Sequence, residues 1–251
     1  MPKMLSRMRR WLGELKPILL ALGLVLIVRT VAAEPYTVPS PSMVPTLLVG
    51  DELIASKFAY GYGKFSSPIG LMPDFSGRLF DKPPERGDVV VFRLPRDPAI
   101  SYVKRVIGLP GDRVQMQGGR LYINATLVPR RAVGWFADDV GGQSVRAMRY
   151  IETLPNGREH PILEISDAEQ LDDTPVFTVP AKHYFMMGDN RDDSLDSRVA
   201  AEDGGVGFVP EENLIGRADL VLLSRNPDVA WSDVTAWPHA FRLARLLDPI
   251  R

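Results

Sequence analysis

The chain has no cysteine, which removes disulfides, thiolate metal sites and every cysteine-nucleophile mechanism. Histidine is scarce. His160, His183 and His239 lie far apart, in no His-Glu-x-x-His run or other ligand spacing, so no metal and no cofactor are expected. Charge of one sign is also missing. A net charge of -1 and the lack of any long basic or acidic run give no reason to expect a nucleic-acid partner. There are no repeats or low-complexity tracts. What is present, 251 residues with 45% hydrophobic and 24% charged, fits a folded protein of one or two domains.

Residues 1–16 carry Lys3, Arg7, Arg9, Arg10 and Lys16 against Glu14 alone, and an apolar run over 17–28 follows. This is a membrane-targeting pattern with the basic end cytoplasmic. The run is 12 residues long, in the range of a signal-peptide core and short of the ~20 of a spanning helix. Val31-Ala32-Ala33 resembles a small-residue cleavage site. Against removal, a helix over 11–33 would reach roughly 35 Å at ~1.5 Å per residue if Lys16 and Arg29 snorkel to the interfaces. From the segment alone, anchor and cleaved signal are equally open.

Beyond it, 22 prolines and 21 glycines punctuate short apolar stretches, so the chain reads as mainly β. The four prolines of 34–47 predict an extended segment. Strands are expected at 52–58, 88–93, 102–107, 113–116, 120–124, 176–179, 184–187 and 220–224. Gly118-Gly119 predicts a hairpin. The more polar stretch 125–174 suggests an inserted domain or large flap. A short helix is expected over 238–247, with Phe241, Leu243, Ala244 and Leu247 apolar and Arg242 and Arg245 basic, either packed or at a membrane surface.

Three segments could carry chemistry. Pro39-Ser40-Pro41-Ser42 places two serines two residues apart, so in an extended strand both lean to one face. On its own the ordinary reading is a proline turn. In Tyr102-Val103-Lys104-Arg105-Val106, alternation forces one of two adjacent cations inward. A lysine held among apolar residues falls below its free pKa of ~10.4 and can act as a base, whereas an isolated one snorkels to water. Gly188-Asp189-Asn190-Arg191-Asp192-Asp193-Ser194-Leu195-Asp196-Ser197-Arg198 could by itself hold a cation. Arg191 and the missing central glycine spoil an EF-hand pattern, and a solvated turn is the plainer reading.

Together these segments resemble the type I signal peptidase (leader peptidase) family. The resemblance is carried by Ser-x-Ser-Met-x-Pro-Thr-Leu at 40–47, Arg86-Gly87-Asp88-Val89-Val90-Val91-Phe92, Tyr102-Val103-Lys104-Arg105 running into Gly108-Leu109-Pro110-Gly111-Asp112, and the Gly-Asp-Asn-Arg-Asp box at 188–192. Order and spacing agree, from the membrane segment through Ala218 and most weakly over 125–174. The family keeps its N-terminal segment as an anchor, and eight residues separate Ala33 from Ser42. The chain departs from it in having one membrane segment where some relatives have two, and in a longer stretch over 198–207.

The resemblance implies a mainly β fold with an N-terminal transmembrane helix, a β-rich catalytic domain and an inserted second β domain. The corresponding division is a cytoplasmic segment 1–16, an anchor 17–33, a catalytic domain 34–124 with 175–225, an insertion 125–174 and a tail 226–251. It implies a monomeric serine endopeptidase in the bacterial inner (plasma) membrane, single-pass with its N-terminus cytoplasmic and its catalytic domain on the outer (periplasmic) face. The partners implied are the lipid bilayer and the signal peptides of exported preproteins, cut after Ala-x-Ala. Ser42 would be the nucleophile and Lys104 the base, with the Ser42 N–H and the Ser40 hydroxyl as oxyanion hole. Ser194 would hydrogen-bond Lys104, Asp196 and Arg198 would brace that wall, and Gly188 would leave room beside the lysine. Pocket residues implied are Tyr36, Val38, Met43, Leu47, Leu53, Val91, Tyr102 and Val103.

Rival readings are weaker. Ser101-x-x-Lys104 matches the penicillin-binding-protein motif but sits in a β-branched run, and neither Ser-Asp-Asn nor Lys-Thr-Gly occurs. A triad through His183 lacks partners in the sequence. The non-enzyme alternative is a catalytically inactive membrane-anchored envelope β-protein that binds through its Pro-rich edge. Asn124-Ala125-Thr126 is read as a chance sequon, and self-cleavage after Ala33 is open.

Overall fold

A computed structural model describes residues 2–66, 77–140, 143–230, 232–233 and 235–250. The side chains of 1–14, 138–140, 143–145 and 238–239 lie outside the described residues, and with them Lys3, Arg7, Arg9, Arg10 and His239. Among the described residues the chain forms α1 (Pro2–Val31), β1 (Ala33–Thr37), β2 (Asp51–Ser56), β3 (Val89–Leu94), β4 (Asp97–Gly108), β5 (Arg113–Gln117), β6 (Arg120–Ile123) and β7 (Thr126–Leu127). Then come β8 (Arg130–Val140), β9 (Gln143–Thr153), β10 (Glu159–Glu164), β11 (Phe177–Thr178), β12 (His183–Met187), β13 (Val209–Pro210), β14 (Leu214–Ser224), α2 (Trp237–Ala240) and β15 (Asp248–Pro249).

The strands gather in three sheets. The largest runs β1-β2-β14-β3-β4-β12-β13, with β15 added to β14; β8, β9 and β10 form a second, and β11-β5-β6-β7 a third. β3 is apolar on both faces because it lies between two cores. Val89 and Val91 pack with Met43, Leu47 and Leu53, while Val90, Phe92 and Leu94 face Val106, Tyr184 and Met186. Each such side chain contributes about 1.5–3 kcal/mol by leaving water, which is why this run sits mid-sheet. Gly118 and Gly119, at φ +52° and +67°, make the two-residue hairpin between β5 and β6, a turn that needs positive φ at both positions.

The ends of the chain differ from expectation. The helix foreseen at 17–33 stops at Val31, and Ala33 already pairs with Ser56 in the sheet. Among the described residues no helix is long and apolar enough to cross a membrane, consistent with an apolar run shorter than a bilayer requires. The single helix expected over 238–247 is absent. The tail instead makes the short α2, a bridge from Phe241 to Arg225 and one 3₁₀ turn at Leu243–Arg245. Its arginines explain the break: Arg242 donates to Val49 O and Arg245 to Asp51 and Thr46 O, bonds that draw both inward and leave Leu243 and Leu247 exposed.

Candidate active site

Ser42 is buried in a single 3₁₀ turn, Pro41–Met43, directly after β1. The extended conformation expected there is therefore corrected at the serine itself. Proline at the first turn position fixes φ and requires no N–H, and Ser40 remains extended at φ -132° and ψ 155°. The two hydroxyls still meet, at 3.3 Å. Lys104, in the middle of β4, places Nζ 2.5 Å from Ser42 Oγ and 3.2 Å from Val103 O.

Both members of the cation pair are buried, not one. Lys104 faces the cleft, and Arg105 enters the opposite side, where its Nε and Nη2 grip Asp189 at 2.8 and 2.7 Å and its Nη1 donates to Gly87 O at 2.7 Å. Burial alone would raise the Asp189 carboxyl, but Arg105 outweighs it and holds the group below its usual range. For Lys104 burial wins. The desolvated amine falls to about 8, although Asp196 and Asp189 pull it back up.

The loop after β12 is not a solvated turn. Asp189, Asn190, Arg191, Ser194, Asp196, Ser197 and Arg198 are all buried, and the loop braces the Ser42 turn from behind. The Asn190 N–H donates to Ser42 O at 3.1 Å, and Thr46 Oγ1 donates to Asp189 at 2.5 Å. Asp196 accepts from the Gly188 N–H at 3.0 Å and pairs with Arg198, whose Nη2 also reaches Arg191 O at 2.5 Å. Gly188 is required by close approach. A Cβ there would stand 2.2 Å from Ser194 Oγ and 2.4 Å from Ser42 O.

Ser194 departs from expectation. Its buried hydroxyl has no hydrogen-bond partner, so the expected bond to Lys104 is not formed, and the lysine amine instead contacts Ser42 Oγ and Val103 O. The longer 198–207 stretch folds back through Val206 N–H to Asp196 O and Gly207 N–H to Val199 O, leaving the wall intact.

These groups open on a cleft of about 350 Å³ between β1 and the first half of β4. Tyr36, Leu53, Val91, Tyr102 and Val103 are among the residues that line it, with Ile100 and Leu195. Val38, Met43 and Leu47 do not. They sit fully buried in the core beneath, because the 3₁₀ turn rotates Met43 away from the cleft and the following chain dives under β2. Ser101 and His183 do not form rival centres. Ser101 bonds Arg93, and His183 bonds Ala181 O at the far end of β12.

The sequence matches the family described as "Signal peptidase, peptidase S26" over residues 10–223. The chain belongs to that family. Signal peptidase I of Rickettsia typhi is 39% identical over 241 residues, covering 89% of this chain and 88% of that one. Its counterpart in Rickettsia felis is 41% identical over 217 residues, covering 84% and 78%. A solved structure of signal peptidase I from Enterococcus faecalis is similar at a TM-score of 0.31 and 25% identity, covering 54% of this chain and 97% of that one, a likeness too low to carry an argument. As a member of the signal peptidase family the protein is a hydrolase and an endopeptidase with a mainly β fold. The residues missed in the sequence are the braces of this peptidase site, Thr46, Arg105, Asp189 and Asn190. All four stand inside the family boxes, next to residues that were singled out.

The lysine gives a testable pH dependence. Only the neutral amine can accept a proton, so if Lys104 is the base, activity should fall as pH drops through about 8 and be flat above it. At pH 6 the kcat/KM should be roughly 100-fold below its plateau. A rate profile flat from pH 6 to 9 would remove Lys104 from the base role.

Proposed function

We propose that the protein is a membrane-bound serine endopeptidase that removes N-terminal signal peptides from exported preproteins after Ala-x-Ala-type sites, with Ser42 as nucleophile and Lys104 as base. The observation that carries this is the 2.5 Å approach of a buried amine, its pKa lowered to about 8, to a buried hydroxyl. Lys104 takes the Ser42 proton as Oγ attacks the carbonyl of the last signal-peptide residue, then returns it to the leaving amine. The Ser42 N–H and the Ser40 hydroxyl hold the developing oxyanion. No observation favours the inactive binding protein, which would have no use for a desolvated lysine.

Two open strand edges support the substrate mode. β1 ends the large sheet, and β12 pairs with β4 only at 105–108, so one side of 97–104 is unpaired. An extended peptide between them adds as a strand, and alternate side chains enter apolar pockets near Tyr36, Leu53 and Tyr102. Catalytic segments 34–124 and 175–225, with β8–β10 in the insertion 125–174, fit the same reading, as does a monomer.

The membrane assignment rests on α1. Ile18, Leu19, Leu20, Leu22, Leu24, Val25, Ile27 and Val28 are all exposed, too many apolar side chains around one helix to leave in water. Its apolar run is short for a span, so we read it as a single-pass anchor on the condition that Lys16 and Arg29 snorkel to the two interfaces, with the catalytic domain on the outer face.

The test uses the full chain reconstituted in vesicles with a preprotein carrying Ala at positions -3 and -1. Cleavage after the last Ala, a drop of at least tenfold when either Ala becomes Leu, and retention with the vesicles under alkaline wash are expected. Cutting elsewhere, or indifference to Leu, rejects the specificity; release by the wash rejects the anchor.

A further inference from the structure

Behind the catalytic loop, away from the cleft, three carboxylates from distant parts of the chain converge. Glu164 ends β10, Asp172 lies in the loop that follows, and Asp192 belongs to the 3₁₀ turn Arg191–Asp193 of the catalytic loop. One oxygen from each lies within 4.8 Å of the others. Glu164 and Asp172 are almost fully buried.

Their hydrogen bonding is unfinished. Asp192 Oδ2 accepts the N–H groups of Ile165 and Ser166, and Asp172 Oδ2 accepts that of Glu169, so backbone donors fix the two side chains. Their second oxygens, Asp192 Oδ1 and Asp172 Oδ1, have no partner, and neither has Glu164 Oε1 or Oε2. The cations facing the cluster are engaged elsewhere: Arg130 stands 3.5 Å from Glu164 Oε2 while its Nη2 holds Asp167 at 2.6 Å, Arg191 is paired with Glu152, and Arg198 with Asp196. None of the three hydrogen-bonds the open oxygens, and buried unpaired acceptors are costly.

We propose that this cluster binds a hard divalent cation of calcium's kind. The donors are all carboxylate oxygens, with no imidazole or thiolate, which selects against zinc and copper. Oxygens that share one Ca²⁺ at ~2.3–2.6 Å can stand about 5 Å apart, which matches the spread seen here. Water completes the coordination on the half-buried Asp192 side. The ion would tie the β8–β10 sheet to the loop that carries Asp193, Ser194 and Leu195, and so stiffen the cleft wall without touching the reaction. No ligand pattern in the sequence announces it, because the three residues come from separate segments.

The experiment follows thermal unfolding of the full chain in detergent, with Ca²⁺ alone or with EDTA, for wild type, Glu164→Gln and Asp172→Asn. Saturating Ca²⁺ should raise the wild-type Tm by about 5–10 °C. The variants should show no rise, yet in EDTA should melt no lower than wild type, since each replaces a crowded, desolvated acidic group by a neutral amide. Equilibrium dialysis of wild type should give one bound Ca²⁺ per chain, a readout that stands even if a variant fails to fold. No saturable binding at millimolar Ca²⁺, or a Tm rise that the variants share, overturns the proposal.

Discussion

Lys104→Met should lower kcat/KM for preprotein cleavage by about 10²–10⁴-fold, the range of a positioned general base, while raising the stability of the protein. The two effects have one origin. Burial places the Lys104 amine near 8 in the folded state against 10.5 as its ordinary value, so at pH 7 folding must hold a proton-binding group in a site that disfavours the charge. That penalty is of order 3 kcal/mol; it is complete below pH 8, shrinks as pH rises from about 8 to 10.5, and is absent above. Methionine fills a similar space without it.

Ser42→Ala should abolish cleavage, by about 10⁶-fold, and the double variant should be no worse than Ser42→Ala alone, because nucleophile and base act as a unit. Ser40→Ala should cost about 10²–10³-fold in kcat, as loss of one oxyanion donor does. Steady-state kinetics beside denaturation curves at pH 7 and 10 decide the matter. Near-normal activity of Lys104→Met, or a stability difference that does not shrink toward pH 10, would assign the base elsewhere.

Asp189→Ala should destabilise the fold by about 3–5 kcal/mol and disable cleavage with it. The Arg105 guanidinium and the Asp189 carboxylate are each 1% exposed and share two charge-assisted bonds. Removing the carboxylate takes two charge-assisted bonds from a buried guanidinium, and Thr46 loses its acceptor as well. Because Thr46 lies just beyond the nucleophile turn and Asn190 holds Ser42 O, the loss reaches Ser42 directly. Replacing Arg105 by methionine in the same chain should restore most of the stability, since an apolar pair tolerates burial better than a guanidinium stripped of the Asp189 bonds. Urea unfolding of the three variants measures this; equal stabilities for Asp189→Ala and the double variant would show that the pair is not the source.

Much of the fold was legible because its causes are local. Apolar runs of strand length and glycine-dependent turns located β2, β3, β5, β6 and β12 to within a residue or two, and Gly118-Gly119 located the hairpin. Other features depend on partners far along the chain. Strand alternation required one inward cation in Lys104-Arg105, but could not reveal that Asp189 makes the opposite face equally hospitable. The tail reads as a helix until Val49, Asp51 and Thr46 offer acceptors to its arginines.

The sequence by itself determined the identity of the chemistry. Two serines, one lysine in a β-branched strand and a Gly-Asp-Asn-Arg-Asp loop, in that order, are covalent facts, and the family follows from them. Only the tertiary structure decided how that chemistry is held. The fold places β1 and β4 on one cleft, the 3₁₀ turn aims Ser42 at Lys104 and sends Met43 into the core, and Ser194 is left without the lysine it was expected to hold. Burial and distance belong to the packed chain, so the lowered pKa of Lys104, on which the base role depends, arises only after folding.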